Sequence, residues 1–278
     1  MTAFQKIIKY FAISLAAVII VSIVSGITFG IYVTGNVIGL IRSDDSEVLE
    51  NLEVISGSEN ASASKLEVEL GAMNFYIKKG DEFKVEANKS DVKFEVKDNV
   101  AYIKDDTRGG WFNFGSIKGS IVVYIPGESE IFEGVVIKGG AGVINIDDLK
   151  TRNLRFDMGA GKVLISNLEV TDEAKIDGGA GKIEILGGTI RDLDLDLGVG
   201  KTDIRTKLIG HSEIDAGVGA VNISLIGSRD DYEIKANRGL GGISVDGQDV
   251  SDGQTIGNGL NFLKISGGVG SIDVKFDE

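Results

Sequence analysis

The chain has 278 residues, 42 acidic against 29 basic, for a net charge of −13. It holds 39 glycines, one proline and no cysteine. That excludes disulfides, thiolate metal sites and a thiol nucleophile, and it is not the composition of a disordered linker. The acidic balance argues against nucleic acid and anionic lipid as electrostatic partners.

Residues 10–41 carry no charged side chain, a longer run than the roughly 20 residues that span a bilayer as a helix. Lys6 and Lys9 precede it, and a single Arg42 followed by "DDSE" ends it. The positive-inside rule then places the N-terminus in the cytoplasm and everything after residue 42 outside. A cleaved signal peptide would have an apolar core of only about 7–15 residues. Residues 1–42 are therefore expected to be a cytoplasmic tip and single-pass anchor in the plasma membrane. The anchor region holds three basic residues and no acid, so the remainder of the chain stands at −16.

Residues 43–64, acidic and then small and polar, read as a stalk. Residues 65–278 read as one all-β domain. Its first part, 65–126, alternates apolar and polar residues in "KLEVEL", "VKFEVKD" and "SIVVYI" with irregular spacing, as a capping region would. Within it, "RGGWFNFGS" groups Trp111, Phe112 and Phe114. These three either form a contact loop or close the end of the fold.

From residue 127 the pattern becomes a repeat. The first glycine of a Gly-x-Gly falls at Gly140, Gly159, Gly179, Gly198, Gly217 and Gly239, and again at Gly268 after "DGQDVSDGQTIGN", which reads as an extra loop. Three residues before the marker stand Ile137, Phe156, Ile176, Leu195, Ile214 and Ile265. Six after it stand Ile146, Ile165, Ile185, Ile204, Ile223 and Val245. Val68 and Ile77 fill the same columns in an earlier copy. Period-two strands repeating about every 19–20 residues predict a parallel β-solenoid, with apolar rows as its core and glycines at its corners.

The glycines beside lysine in "GAGKVLI", "GAGKIEI" and "GVGKTDI" invite a phosphate-loop reading. Such a loop needs Gly-x4-Gly-Lys-Ser/Thr opening a helix, and here strands follow. The calcium-roll repeat needs an aspartate where this chain has Ile144, Val163, Ile183, Thr202 and Val221. No catalytic, cofactor or metal site is therefore expected, and the lone His211 reads as a surface residue of a turn. Two charged columns do repeat: Asp157, Asp177, Asp196 and Asp215, and five residues on, Lys162, Lys182 and Lys201. They are the candidate surface ladder. It reads as an acidic row neutralised by a basic row across the corner, or as a track for cations.

The stretch "SIVVYIPGESEIFEGVVIKGGAGVINIDDLKTRNLRFDMGAGKVLIS" resembles the bacterial β-strand-repeat family labelled "putative adhesin", a domain of unknown function. That family includes LiaG-like membrane-anchored proteins of Gram-positive bacteria tied to cell-envelope stress. The resemblance covers roughly residues 50–276 and brings no catalytic motif. It implies a non-enzymatic binding or scaffold module of the cell envelope, held to the plasma membrane and contacting an envelope protein or cell-surface ligand. An accessory role in an envelope-stress system is the second expectation, and a carbohydrate-active β-helix enzyme the third. Open solenoid ends also allow homo-association.

Overall fold

The computed structural model describes residues 49, 51–56, 63–89, 91–105, 119–126 and 131–277. All lie in one compact unit, Ser43–Glu278. The expected membrane helix and the Trp111, Phe112 and Phe114 loop lie outside the described residues. Among the described residues, no helix is long and apolar enough to cross a membrane.

These residues form a β-solenoid-like stack in which every strand belongs to one sheet of 18 strands. The coil at residues 174–191 shows the plan. Its first side buries Ala174 and Ile176, a glycine corner follows at 178–181, the second side buries Ile183 and Ile185, and the third, Gly188–Arg191, buries Ile190. The continuous strand Phe132–Ile185 winds through successive coils, with a glycine corner between the first and second sides of each. Neighbouring coils pair in parallel and in register. Leu195 lies beside both Ile176 and Ile214, and Ile204 beside both Ile185 and Ile223. Each apolar column thus becomes a continuous buried row, because period-two alternation sends the same positions inward in every coil.

At the corner, Gly161 has φ +135, and a Cβ there would lie 1.9 Å from the carbonyl oxygen of Gly142 in the coil beneath. Only glycine meets both constraints.

The order of coils departs from the order of the sequence at both ends. In the middle, 134–151, 153–170, 174–191, 193–209 and 211–226 stack consecutively. At one end, the coil built from Lys65–Ala72 and Asn74–Gly80 sits between residues 134–146 on one side and the coil of Val100–Asp105 and Ser120–Pro126 on the other. At the other end, Asn261–Ser266 and Val269–Asp277 sit between 211–226 and the coil of Tyr232–Asn237 and Gly242–Val245. At the N-terminal end the chain lays the inner coil first, adds the outermost one and then steps back past it to residue 134; at the C-terminal end it runs to the outermost coil first and then returns to fill the position inside it. The sequential order expected from the glycine markers is corrected here: Gly268 stacks on Gly217, and Gly239 on Gly268.

Both outermost coils are closed by antiparallel strands. Val92–Lys97 pairs with Val100–Asp105 through the turn Asp98-Asn99, and Lys84–Ala87 pairs with Ser120–Pro126. At the far end, Gln248–Asp249 pairs with Gly242–Val245 through Asp246-Gly247, and Gln254–Gly257 pairs with Tyr232–Asn237. All four turn residues have φ between 51 and 73, the requirement of a two-residue hairpin that follows strand twist. "DGQDVSDGQTIGN" is therefore the cap and not an inserted loop. Part of the expected stalk also has structure: Glu53–Val54 pairs with Lys84–Ala87.

Candidate functional site

The outer surfaces of the first and second sides of each coil carry the chain's repeating charge. Alternation decides this placement: in 174–178, Ala174 and Ile176 point in while Lys175 and Asp177 point out. Stacking turns these outward positions into columns on what we term face A. Asp196 lies in register with Asp177 on one side and Asp215 on the other. Beyond the glycine corner, on face B, Lys201 lies in register with Lys182. The two sequence columns thus form true ladders, but on different faces.

Their neutralisation differs from the expectation. The aspartates are not balanced by the lysines across the corner. On face A, Arg155 reaches Asp157 at 3.2 Å and Asp177 at 3.5 Å. Lys175 reaches Asp194 at 2.7 Å, Asp196 at 3.7 Å and Asp177 at 3.9 Å. Lys264 pairs with Glu213. On face B, Lys162 and Lys182 converge on Glu184 at 3.1 and 2.7 Å, and Lys182 and Lys201 on Asp203 at 3.8 and 3.0 Å. The reason is geometric. Residues i and i+2 share a face, and adjacent coils lie about 4.8 Å apart, whereas the corner turns the two faces away from each other.

These contacts tune the carboxyls. Burial works to raise Glu184, but hydrogen bonds from Lys182 and Lys162 outweigh it and hold the group below its ordinary value. Asp203 is likewise held low: burial is overcome by Asn222, which donates from Nδ2 at 2.6 Å, and by Lys201. In the Asp157–Asp177 pair, burial raises Asp177 and the carboxyl contact with Asp157 raises it further. Asp157, bonded to Asp177 and Arg155, is lowered despite its own burial.

That pair could be read as an acid–base dyad. Its geometry argues otherwise. Arg155 donates to both carboxyls, to Asp157 at 3.2 Å and to Asp177 at 3.5 Å, and so occupies the space between them that a substrate bond would need. Their side chains are 29% and 36% exposed with an arginine across both, without the dry cleft of a proton-sharing catalytic dyad. Among the described residues, no three His, Asp or Glu side chains are placed to hold a metal ion. His211 begins the strand His211–Asp215, not a turn, and its ring lies 5.9 Å from that of Phe262.

Sequence reasoning missed two features. Open hollows of 740 and 550 Å³ share Glu69 and Lys138 on face A, the first also lined by Tyr102 and the second by Arg155. No local motif signals them, because the lining comes from separate coils. The second is the ion pair between Lys89 and the fully buried Asp105 side chain, at 3.1 Å beneath the N-terminal cap.

Fold and surface together define a repeat-built, all-β module with long outer faces and closed ends. A family model described as Toastrack DUF4097 matches residues 63–256, and the chain belongs to that family. No curated protein matches it. Among solved structures it is similar to a "putative cell adhesion protein" from Clostridium sporogenes, at 17% identity over 82% of this chain and 99% of that one, with a TM-score of 0.36. It is similar to a "putative adhesin" from Bacteroides fragilis at 14% identity, over 82% and 98%, with a TM-score of 0.38. A third, from Parabacteroides distasonis and also described as an adhesin, is 16% identical over 80% and 96%, with a TM-score of 0.36.

Proposed function

We propose that the chain is a membrane-anchored, extracytoplasmic, non-enzymatic module that binds or scaffolds within the cell envelope through its repeating outer faces. The observation that carries this reading is the surface itself. Charged rows recur from coil to coil and are paired along each face, giving an extended contact surface without a convergent reactive cluster among the described residues. The apolar run at 10–41 supports an anchor, and the lysines before it support an outward domain. Membership of the family is consistent with adhesion as the form the binding takes.

Photo-crosslinking in cells from Asp177 on face A tests the binding half. Capture of an envelope protein or wall glycan is expected. Identical labelling from Asp177 and from a cap turn, such as Asp252, would mean that no face-specific partner exists. An epitope inserted at residue 58 tests the topology. It should be reached by antibody on intact, wall-stripped cells, and accessibility only after lysis would overturn the outward orientation.

A further inference from the structure

We infer that the interleaved ends are a mechanical clamp, which makes the domain a tether able to hold under load. The first coil in the sequence, 65–80, and the last, 261–277, are both interior coils. Residues 65–69 pair with 100–104 on one edge and 134–138 on the other, and residues 75–77 pair with 121–123 and 144–146. At the other end, His211–Asp215 and Tyr232–Asn237 flank Asn261–Ser266 on its two edges, and Val218–Ile226 and Gly242–Val245 flank Val269–Asp277.

Chain ends ordinarily fray first, because a terminal strand at a sheet edge is bonded on one side only. Here a pull on either end must break a parallel ladder on both edges across 65–69, 75–77, 262–266 and 271–274, with only short stretches such as 275–277 paired on one edge. It must also separate buried rows on both sides, since Leu66, Val68, Phe75 and Ile77 near the start and Leu263, Ile265, Ile272 and Val274 near the finish are all buried. The weak positions are instead the caps: among the described residues the outer edges of Val92–Lys97, Gln248–Asp249 and Gln254–Gly257 carry no further strand, that of Lys84–Ala87 carries only the two-residue Glu53–Val54, and cap strands are as short as Gln248–Asp249. Among the described residues, the two-residue pairing of Glu53–Val54 with Lys84–Ala87 is the first strand pairing that tension from the N-terminal side would meet, and it can yield without opening the stack. The arrangement suits a domain pulled through its own termini. This deepens the envelope-binding reading, which supplies the source of tension, but the clamp itself does not require it.

Two measurements on the full chain in detergent test the clamp. By hydrogen–deuterium exchange, 65–80 and 261–277 should exchange as slowly as the central coils, and at least about tenfold more slowly than 92–97 and 254–257. In single-molecule pulling, the absence of native cysteine makes introduced cysteines unique handles. With handles at Ser64→Cys and Asp277→Cys, rupture should need about twice the force of the first event seen with handles at Asp91→Cys and Asn258→Cys, from which tension first peels the cap strands Val92–Lys97 and Gln254–Gly257, each bonded on one edge, because two ladders open in place of one. It should occur without an early step longer than about 10 Å, the extended length of 275–277. An early low-force step of about 20–60 Å from the terminal handles, up to the extended length of 261–277, would overturn the clamp. So would terminal coils that exchange as fast as the caps. Failure of the topology test at residue 58 would remove the membrane as the source of tension and leave these results standing.

Discussion

The glycine corner offers the sharpest test of the packing argument, because three glycines separate its two components. Gly161→Ala places a Cβ 1.9 Å from the Gly142 carbonyl oxygen, 2.9 Å from its carbon and 3.1 Å from its nitrogen, at φ +135. Gly247→Ala imposes a positive φ of +73 with nothing within 4 Å. Gly134→Ala has neither a positive φ nor a neighbour within 4 Å. The backbone conformation alone should destabilise Gly247→Ala by about 1–2 kcal/mol. Gly134→Ala should be neutral or up to about 1 kcal/mol more stable, since it removes unfolded-state freedom. Gly161→Ala adds a clash with backbone that is fixed by a ladder on each side. Relief requires separating two coils, with loss of hydrogen bonds at about 1 kcal/mol each, and the total should exceed about 4 kcal/mol. Urea unfolding followed by circular dichroism measures all three. With m near 2 kcal/mol/M, the Gly161→Ala midpoint should fall by about 2 M. A Gly161→Ala variant within about 1 kcal/mol of Gly247→Ala would refute close approach as the reason for the second corner glycine.

Three further outcomes follow from the same structure. Lys89→Met leaves the buried Asp105 carboxylate without its lysine and should lower stability by about 3–5 kcal/mol, with Lys89→Met/Asp105→Leu recovering most of it in the same urea assay. Deleting 261–277 removes an interior coil and opens edges on both 211–226 and 232–245, so gel filtration should show aggregation in place of a shortened monomer. Glu184 and Asp203 are held below their ordinary values of 4.5 and 3.8. Their contribution is therefore fully present above those values and lost as pH falls through the lower folded ones, and Glu184→Gln/Asp203→Asn should flatten the acid limb of a stability–pH curve while leaving its shape near pH 7 unchanged.

The rows Ile137 to Ile265 and Ile146 to Val245 were legible because every coil meets the same surroundings, so one column of the alignment is one place in the fold. The glycine corners and the two charge ladders were legible for the same reason. The order of the ends was not. Ala236 and Ile265 are both apolar, and so are Val245 and Val274, so either coil satisfies the row beside Ile214 and Ile223; only the pairings decide. The far cap escaped because Gln248–Asp249 and Gln254–Gly257 are too short to show alternation, although Asp246-Gly247 is a hairpin turn signal in plain view. The Lys89–Asp105 pair could not be found by pattern: the aspartate takes an inward strand position that the repeat elsewhere gives to apolar or small residues, and its partner comes from a connecting segment.

Parallel, in-register stacking creates a problem that the charge pattern answers. A repeat that conserves an outward aspartate brings Asp157, Asp177, Asp196 and Asp215 side by side at strand spacing, where like charges repel. Helical or antiparallel folds can offset such groups, but a stack of equivalent coils cannot. The available remedy is a counter-charge in the neighbouring outward column of the same face. Arg155 and Lys175 provide it for the first part of the row, and Lys175 also serves Asp194 and Asp196 in the next coil. The remedy thins out toward the C-terminal side: Asp194, Asp196, Glu213 and Asp215 occupy two adjacent coils, with Lys175 at one border and Lys264 at the other. Face A is thus close to neutral around Arg155 and Lys138 and acidic over residues 194–215. Added salt should weaken a cationic partner on the acidic part and leave contacts in the Lys138 hollow nearly unchanged, so salt dependence alone locates where on this face a ligand sits.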